Sequence, residues 1–444
     1  MKAYPVSKSP AINSITTHSV ASIVRKADLC TLAIAFVFGG WLLIAAPAAR
    51  AQTVTVLRTF GNSTDGQNPY GGLIESGNAL YGVTAEGGTG TCPSPGTTGC
   101  GTVFTISSKG YKVLWSFKGP PSDGAGPGYE NLVTDGKGTF YGTTVGGGTG
   151  PCKSNGVVVG CGTVFKITST GTETVLWNFA GPPNDGAIPN GGLAIDSSGN
   201  LYGTTLVGGN GSCSGSSLSG CGTVFEVTST GTENVRYNFK NLADGVTPFS
   251  GLVLDPAGNL YGTTTEGGTG DAGTVFEVTP SGSKTILHSF SLGQLAGGVL
   301  PYGGLVRDSA GNLYGTTAGG GASCSCGIVF ELSGTTFKIM YAFAGAPTDG
   351  ASPYATLLRD SKGNLYGTTV AGGANDAGAV FEIPIGGAEK MLASLNGTTQ
   401  GNQPFGSIWT SGPNADLYGT AGYGGNAKCT TGAGGCGTLF RVAP

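Results

Sequence analysis

Short apolar runs alternate with turn-forming residues along this chain, at the spacing expected of β-strands. In one stretch, residues 192–195 (GLAI) are apolar, the next five (DSSGN) favour a turn, and residues 201–205 (LYGTT) favour a strand. Two further β-rich runs follow, at residues 221–227 (CGTVFEV) and 235–239 (VRYNF). Glycine, serine and asparagine between the runs accept the backbone conformations of tight turns. The pattern predicts four consecutive antiparallel strands.

The same four-strand unit is repeated seven times. Its first marker is LYGTT or a close variant, with tyrosines 52 to 61 residues apart at Tyr81, Tyr141, Tyr202, Tyr261, Tyr314, Tyr366 and Tyr418. A second marker of the type GTVF follows each tyrosine, and a third of the type VLWSF follows in the first six copies. Solenoid repeats are usually shorter, roughly 20–45 residues, whereas four strands per unit are typical of propeller blades.

The two ends of the repeat array complement each other. The seventh copy stops after residues 437–442 (GTLFRV) and lacks a fourth strand, whereas residues 54–60 (VTVLRTF) form a fourth strand without a copy of its own. Joining them completes the last blade and leaves no open sheet edge. The sequence therefore predicts an all-β fold, a seven-bladed β-propeller of four-stranded antiparallel blades, closed by the N-terminal strand and formed by one domain over residues 52–444.

Residues 1–51 have the features of a secretory signal peptide. The apolar segment 29–46 follows two basic residues and leads to an Ala-Arg-Ala cleavage site that ends at Ala51. A retained membrane anchor is the alternative, because about 18 apolar residues can just span a bilayer. The cleavage site and a Gly-Gly break favour removal, so we expect a mature chain that starts near Gln52, does not insert into a membrane, and is secreted, periplasmic or on the cell surface.

Composition and charge narrow the possible functions. Glycine accounts for 85 of 444 residues, but charged residues make up only 11% and aromatics 9%, which is the opposite of a disordered chain. Removing residues 1–51 takes away five of the 22 Lys and Arg and one of the 25 Asp and Glu, which leaves a net charge of −7. No basic run survives, so we expect no nucleic-acid partner. We expect a monomer without a cofactor, because no motif for one stands out.

The repeat units resemble those of a known family. Units of the form G-L-x-x-D-x-x-G-N-L-Y-G-T-T-x-x-G-G, followed by G-T-V-F, are similar to the GloVer tandem repeat of bacterial exported proteins, also called choice-of-anchor repeat proteins. The resemblance covers about residues 54–444, with seven copies in the same order. It implies a secreted or surface protein of bacterial origin whose molecular activity is undefined.

Cysteine pairs accompany the long loops between the second and third strands of a copy. Copies four and six have short loops and no cysteine. Each long loop offers two thiols and no histidine, short of the four ligands that zinc needs. We therefore predict no metal and a local disulfide in each loop, stabilising by roughly 2–3 kcal/mol. The predicted pairs are Cys92 with Cys100, Cys152 with Cys161, Cys213 with Cys221, and Cys429 with Cys436. For Cys324 and Cys326 an unusual local bridge, reduced thiols and redox chemistry all stay open.

The segment that enters the first strand of each copy carries an aromatic residue near a proline. The six aromatics are Tyr70, Tyr129, Phe249, Tyr302, Tyr354 and Phe405, and copy three has Asn190 instead. In a propeller these side chains would surround the central channel on the face that carries the longer loops, where function is commonly found. They are candidate ligand-binding residues that stack on sugar rings or grip a peptide. The alternative is that they plug the channel mouth or pack between blades.

Other candidate chemistry is sparse. Asp65, Asp123, Asp185, Asp244 and Asp349 occupy equivalent Asp-Gly positions, where capping of a turn explains them better than calcium, which needs six to eight oxygen ligands. Only two histidines are present, His18 in the predicted signal peptide and His288 in a fourth strand. Histidine-based catalysis would have to use His288, so we predict no catalytic residues. Paired carboxylates for glycoside chemistry stay open, because such pairs form in space.

Three functions follow from these features. The leading hypothesis is an exported, non-catalytic propeller that binds an extracellular glycan or protein through its loop-rich aromatic face. The second is a propeller lyase or hydrolase acting on an extracellular substrate. The third is a structural repeat protein of the cell surface.

Overall fold

A computed structural model of the protein describes residues 52–61, 64–93, 99–129, 131–213, 219–321, 324–412, 415–425 and 434–443. The predicted signal peptide, residues 1–51, lies outside them. Within the described residues the chain forms seven four-stranded antiparallel sheets arranged as a seven-bladed propeller, which confirms the predicted fold. No helix in this part of the chain is long and apolar enough to cross a bilayer.

Strands are named A to D from the propeller axis outward. Strands A of blades 1 to 7 are Ile74–Ser76, Val133–Thr134, Ala194–Ile195, Val253–Leu254, Val306–Arg307, Leu358–Arg359 and Trp409–Thr410. Strands B are Ala79–Thr84, Thr139–Gly147, Leu201–Thr205, Leu260–Thr264, Leu313–Thr317, Leu365–Thr369 and Leu417–Ala421.

Strands C and D complete the blades. Strands C are Thr102–Ser107, Thr163–Thr168, Thr223–Val227, Asp271–Val278, Ile328–Ser333, Ala379–Ile383 and Thr438–Val442. Strands D are Gly110–Ser116, Glu173–Asn178, Glu233–Asn238, Lys284–Ser291, Thr336–Ala342, Lys390–Ser394 and, for blade 7, Val54–Thr59.

Shorter elements lie in the connections. The two-residue or four-residue strands are Gly124–Pro127, Lys153–Ser154, Val157–Val158, Gly186–Ala187, Val207–Gly208, Gly350–Ala351 and Ala371–Gly372. Two 3-10 helices, Leu242–Asp244 and Leu292–Gly297, lie between strand D of one blade and strand A of the next.

The N-terminal strand closes the ring as the sequence predicts. Val56 pairs with Phe440, and Arg58 pairs with Leu439, in antiparallel register. Phe60, directly after this strand, is fully buried in a cluster that also contains Leu73 of blade 1. The first segment of the chain therefore belongs to the last blade and also packs against the first.

The repeated LYGTT motif is explained by packing and hydrogen bonding. In blade 3 a Cβ at Gly203 would lie 2.5 Å from Cζ of Phe225, so only glycine leaves room for the GTVF phenylalanine. The hydroxyl of Thr204 donates to the carbonyl oxygen of Ser250 in the next blade at 2.8 Å, and Thr205 pairs with Thr223 at 2.9 Å. Because Thr204 links neighbouring blades while Gly203 and Thr205 pack strands B and C of one blade together, the repetition of the motif reflects the architecture.

The connections define two faces. The A–B and C–D turns lie on one side, which we call the turn face. The D–A and B–C connections lie on the other, which we call the loop face. The two kinds of loop-face connection are hydrogen-bonded to each other, as Ile188 N–H to the carbonyl oxygen of Cys161 at 2.9 Å illustrates. The longer connections therefore share one face, as the sequence predicts.

Candidate functional site

The six aromatic residues singled out by the sequence meet at the propeller axis in a closed circuit of ring contacts. Their ring centroids are 4.6 to 5.9 Å apart around the circuit, with Tyr70 stacked on Tyr129 and Tyr302 stacked on Tyr354. The order around the axis is Tyr70, Tyr129, Phe249, Tyr302, Tyr354 and Phe405. Such stacked and edge-on pairs attract each other beyond the area they bury. We call this group the axial circuit.

Each aromatic is positioned by an unusual backbone residue just before the proline. In all seven blades this residue has a φ between 55° and 63°, in the left-handed region. Its N–H donates to the carbonyl oxygen of the residue that precedes the Gly-Thr-Val-Phe motif of the previous blade, at 2.7 to 3.3 Å. The seven residues are Asn68, Gly126, Ile188, Thr247, Leu300, Ser352 and Gln403. Neighbouring blades therefore fix the point at which each aromatic enters the axis.

The rings of the axial circuit pack against each other and are only partly accessible. Tyr70 is only 2% exposed, whereas Tyr129, Phe249, Tyr302, Tyr354 and Phe405 are half-buried. Asn190, which takes the equivalent place in blade 3, is buried. The contacts therefore bear out packing of the rings against each other, while five of the six keep some accessible surface. Ligand binding by these residues stays a prediction.

Polar groups that the sequence analysis missed lie beside the axial circuit. The hydroxyl of Tyr70 is 2.8 Å from that of Tyr423, which lies just after strand B of blade 7. Burial raises the pKa of the Glu86 carboxyl, and its Oε2 atom is buried without a hydrogen-bond partner. The pKa of Glu266 is raised by burial and by the charge of Asp271. Glu86, Glu266 and Tyr423 each directly precede the Gly-Gly pair of their copy, and the residue type at this position varies among the copies. That variation was the one sign in the sequence that could have pointed to these residues.

Disulfides pin the loop-face connections of the first three blades. Cys92–Cys100, Cys152–Cys161 and Cys213–Cys221 are bonded within their own copies, with Cα atoms 5.0 to 5.3 Å apart. Cys324 is bonded to Cys326, the unusual local bridge among the alternatives. Cys429 lies outside the described residues, so its pairing with Cys436 stays a prediction.

The aspartates of the Asp-Gly positions cap turns. Asp123, Asp185 and Asp349 each accept hydrogen bonds from two backbone N–H groups of their own connection. Asp244 accepts the N–H of Lys240, and Asp65 forms an ion pair with Arg58. Among the described residues, no group of three or more His, Cys, Asp or Glu is arranged to hold a metal ion.

His288 lies on the outermost strand of blade 4, where it stacks on Phe337 with ring centroids 4.0 Å apart. Burial lowers the pKa of its imidazole. The structure does not bring it together with the axial circuit, whose members come from the connections that lead into strands A. The imidazole of His288 therefore packs between strand D of blade 4 and strand D of blade 5.

Solved structures with the same fold include two lyases. Virginiamycin B lyase from Staphylococcus aureus matches with a TM-score of 0.54 at 12% identity, over 88% of this chain and 99% of the lyase. A streptogramin B lyase matches with a TM-score of 0.54 at 13% identity, over 87% of this chain and 97% of that chain. At this level of identity the likeness shows the fold alone.

A third similar structure is the extracellular domain of a hybrid two-component system from B. thetaiotaomicron. It matches with a TM-score of 0.51 at 12% identity, over 88% of this chain but only 41% of the other chain. No curated protein sequence matches this one.

The sequence itself matches a family of repeat proteins. The Gloeobacter/Verrucomicrobia repeat matches four overlapping stretches, residues 44–215, 89–306, 150–358 and 254–444, which together span the whole propeller. This agrees with the resemblance seen in the repeat motifs. The chain belongs to the Gloeobacter/Verrucomicrobia repeat family.

Proposed function

We propose that this protein is an exported, non-catalytic propeller that binds an extracellular glycan on the axial circuit. The observation that carries the proposal is the set of five half-buried aromatic rings that meet at the axis of the loop face. Flat aromatic surface stacks on the C–H faces of sugar rings. Glu86 and Glu266 beside the rings provide oxygen atoms for sugar hydroxyls.

Export is part of the same proposal. Three disulfides between neighbouring loop cysteines favour an oxidising compartment, because such bonds are rare in the cytosol. Amino-terminal sequencing of the protein produced by its own cells tests this, and we expect it to start near Gln52. A chain that retains residues 1–51 would contradict cleavage.

The binding proposal is tested by comparing two double variants on a glycan array. Tyr302→Ala/Tyr354→Ala removes one stacked pair from the axial circuit. His288→Ala/Phe337→Ala removes a stacked pair between outer strands and serves as the matched control. We expect the first variant to lose glycan binding and the second to retain it. Unchanged binding by the axial variant would remove the axial circuit from the proposed function.

A second candidate, a lyase or hydrolase, is favoured by one observation. The Glu86 carboxyl has a raised pKa and a buried oxygen without a hydrogen-bond partner, which are features of a general acid. Its charge also contributes to the raised pKa of the Tyr70 and Tyr423 hydroxyls. If an activity on an extracellular substrate is found, Glu86→Gln should abolish it and His288→Ala should not. Activity that survives Glu86→Gln would exclude this mechanism.

A further inference from the structure

An open cleft lies on the turn face between blade 7 and blade 1, away from the axial circuit. Its volume is about 770 Å³, within the roughly 300–1000 Å³ typical of ligand pockets. Strand D of blade 7 contributes Leu57 and Arg58, the C–D turn of blade 1 contributes Ser108, and strand A of blade 7 contributes Trp409. We call it the junction cleft, because it lies where the two ends of the repeat array meet.

Turn lengths in the two flanking blades differ from those in the rest of the ring. In blades 2 to 6 the strand-A residue paired with the LYG tyrosine precedes it by eight positions, as Val253 precedes Tyr261. In blade 1 the same pair, Ile74 and Tyr81, is seven positions apart, and in blade 7 Trp409 and Tyr418 are nine apart. The A–B turn is therefore one residue shorter in blade 1, and one residue longer in blade 7, than in the other blades.

The C–D turn of blade 1 is one residue shorter than that of blade 2 and as long as that of blade 5. Ile106 pairs with Tyr111 across this turn, whereas in blade 2 Ile167 pairs with Glu173, one residue further along. The turn glycine of blade 2, Gly171, approaches the previous blade so closely that a Cβ there would lie 2.8 Å from the carbonyl oxygen of Leu114. The corresponding Gly110 of blade 1 has no atom within 4 Å of such a Cβ. The contact that Gly171 makes with the preceding blade is therefore missing at the junction of blade 1 with blade 7.

Trp409 sets the aromatic character of the cleft and is specific to blade 7. The equivalent residues of the other blades are Ile74, Val133, Ala194, Val253, Val306 and Leu358. Its ring lies 5.6 Å from that of Tyr418, and both residues are half-buried, so that part of each stays accessible in the cleft. Because smaller side chains serve the packing at six equivalent positions, the fold does not require a tryptophan here.

Tyr418 also differs from its counterparts in blades 3 to 6. In blades 3 to 6 the LYG tyrosine hydroxyl donates to carboxylates of the A–B turn and of strand C, as Tyr202 does to Asp196 and Glu226. In blade 7 the strand-C partner of Tyr418 is Arg441, which instead bonds to Asp416 at 3.3 Å. Tyr418 therefore has no strand-C carboxylate opposite it, in contrast to blades 3 to 6 but like Tyr81 and Tyr141, which pair with Thr105 and Lys166.

The charges around the cleft largely compensate each other. Arg58 forms an ion pair with Asp65, and Asp416, which lines the cleft, forms one with Arg441. Glu75 is exposed at the rim, and Ser108 and Asn78 add hydroxyl and amide groups. A lining that combines aromatic rings, short polar side chains and paired charges suits an uncharged ligand rich in hydroxyl groups.

We infer that the junction cleft binds a short neutral oligosaccharide, at a site independent of the axial circuit. Trp409 and Tyr418 stack on the C–H face of a sugar unit, while Ser108, Asn78 and Glu75 bond to its hydroxyls. The position on the turn face separates this site from the proposed axial function, so that either site can be lost without the other.

Titration of the mature protein with short oligosaccharides of glucose, galactose, mannose, xylose and N-acetylglucosamine tests the inference. Trp409→Val introduces the residue that blades 2, 4 and 5 carry at this position, so the variant should fold. Trp115→Tyr, at a strand-D position where blades 3 and 5 carry tyrosine, is the matched control. We expect Trp409→Val to weaken binding of at least one sugar about tenfold or more, a ratio equivalent to about 1.4 kcal/mol, and Trp115→Tyr to leave it unchanged.

A second variant guards against a folding effect. Ser108→Trp fills the cleft from an exposed turn and should also weaken binding, with no change in thermal unfolding. The axial variant Tyr302→Ala/Tyr354→Ala should retain the sugar that the cleft binds. The inference is overturned if no oligosaccharide of the panel binds, or if binding survives both cleft variants. Loss of binding in the axial variant alone would assign the sugar to the axial circuit.

Discussion

The backbone N–H of Asn68 donates a hydrogen bond to the carbonyl oxygen of Cys436 at 2.8 Å, so the first blade is bonded to the last. The same bond links every other pair of neighbouring blades, and in each case its donor is the left-handed residue that precedes a proline. Ring closure therefore uses the contact that joins consecutive copies, and the junction between blades 7 and 1 is continuous on the loop face.

The left-handed residue should respond to substitution in a predictable direction. Asparagine tolerates this conformation, whereas a β-branched residue is strained in it by about 1–2 kcal/mol. Among the seven left-handed residues, Thr247 is β-branched, has a φ of 58° and carries a half-buried side chain. We expect Thr247→Asn to raise the free energy of unfolding by about 1 kcal/mol. Thr247→Val keeps the strain and should give no gain in chemical denaturation; equal effects of the two changes would refute the explanation.

Closure of the ring predicts a large cost for truncating Phe60. This side chain is fully buried between the N-terminal strand and blade 1. Phe60→Ala should lower the free energy of unfolding by about 3–5 kcal/mol, the range for buried phenylalanine. Ile385→Ala, at a side chain that is 70% exposed, should change it by no more than about 0.5 kcal/mol. Similar losses in both variants would mean that closure contributes little to stability.

Three glutamates at or directly before the first residue of a strand D predict a pH dependence. Burial, and then the charge of a nearby aspartate, raises the pKa of Glu173 to about 7, of Glu233 to about 8 and of Glu389 to about 7. Because these pKa values are higher in the folded state than the ordinary value near 4.5, their stabilising effect is complete at low pH. It is lost progressively as the pH rises from about 4.5, where these groups ionise in the unfolded chain, to 7 to 8, where they ionise in the folded protein.

The triple variant Glu173→Gln/Glu233→Gln/Glu389→Gln isolates this effect. We expect it to have a higher Tm than the unchanged protein at pH 8.5 and a similar Tm at pH 5. Aspartates such as Asp196 and Asp255, whose pKa values are lowered by hydrogen bonds, titrate below this window. A Tm difference that is the same at both pH values would contradict protonation of these glutamates as the cause.

The disulfide of blade 3 offers a test of loop stabilisation. Cys213→Ala/Cys221→Ala should lower the free energy of unfolding by roughly 2–3 kcal/mol, as expected for a short closed loop. Non-reducing peptide mapping of the unchanged protein should recover only bridges within a copy, including Cys429 with Cys436. A bridge between copies would show that the B–C connections are assigned wrongly.

Much of the fold follows from the sequence because each copy contacts mainly its neighbours. The LYGTT marker, which contains Tyr202, and the GTVF marker, which ends in Phe225, recur in the same order in every copy. Because each copy packs on its neighbours, this order in the sequence becomes the order of adjacent blades. The missing fourth strand of copy seven and the extra strand Val54–Thr59 predicted the closure, which the pairing of Val56 with Phe440 confirms. The axial aromatics were also identifiable, since their position repeats near a proline.

What the sequence could not reveal depends on residues that only the closed ring brings together. Leu57, Ser108 and Trp409 lie in three distant parts of the chain, yet all three line the junction cleft. Each of the turn-length changes in copies one and seven is a single residue, which has no visible consequence until the two blades stand side by side. The sequence alone determined the number, order and closure of the blades, because these rest on local repetition. The tertiary structure decided that the aromatic rings pack against each other and that a cleft opens at the junction. Both depend on contacts across the axis and between the chain ends, and these contacts arise only when all seven blades surround a common axis.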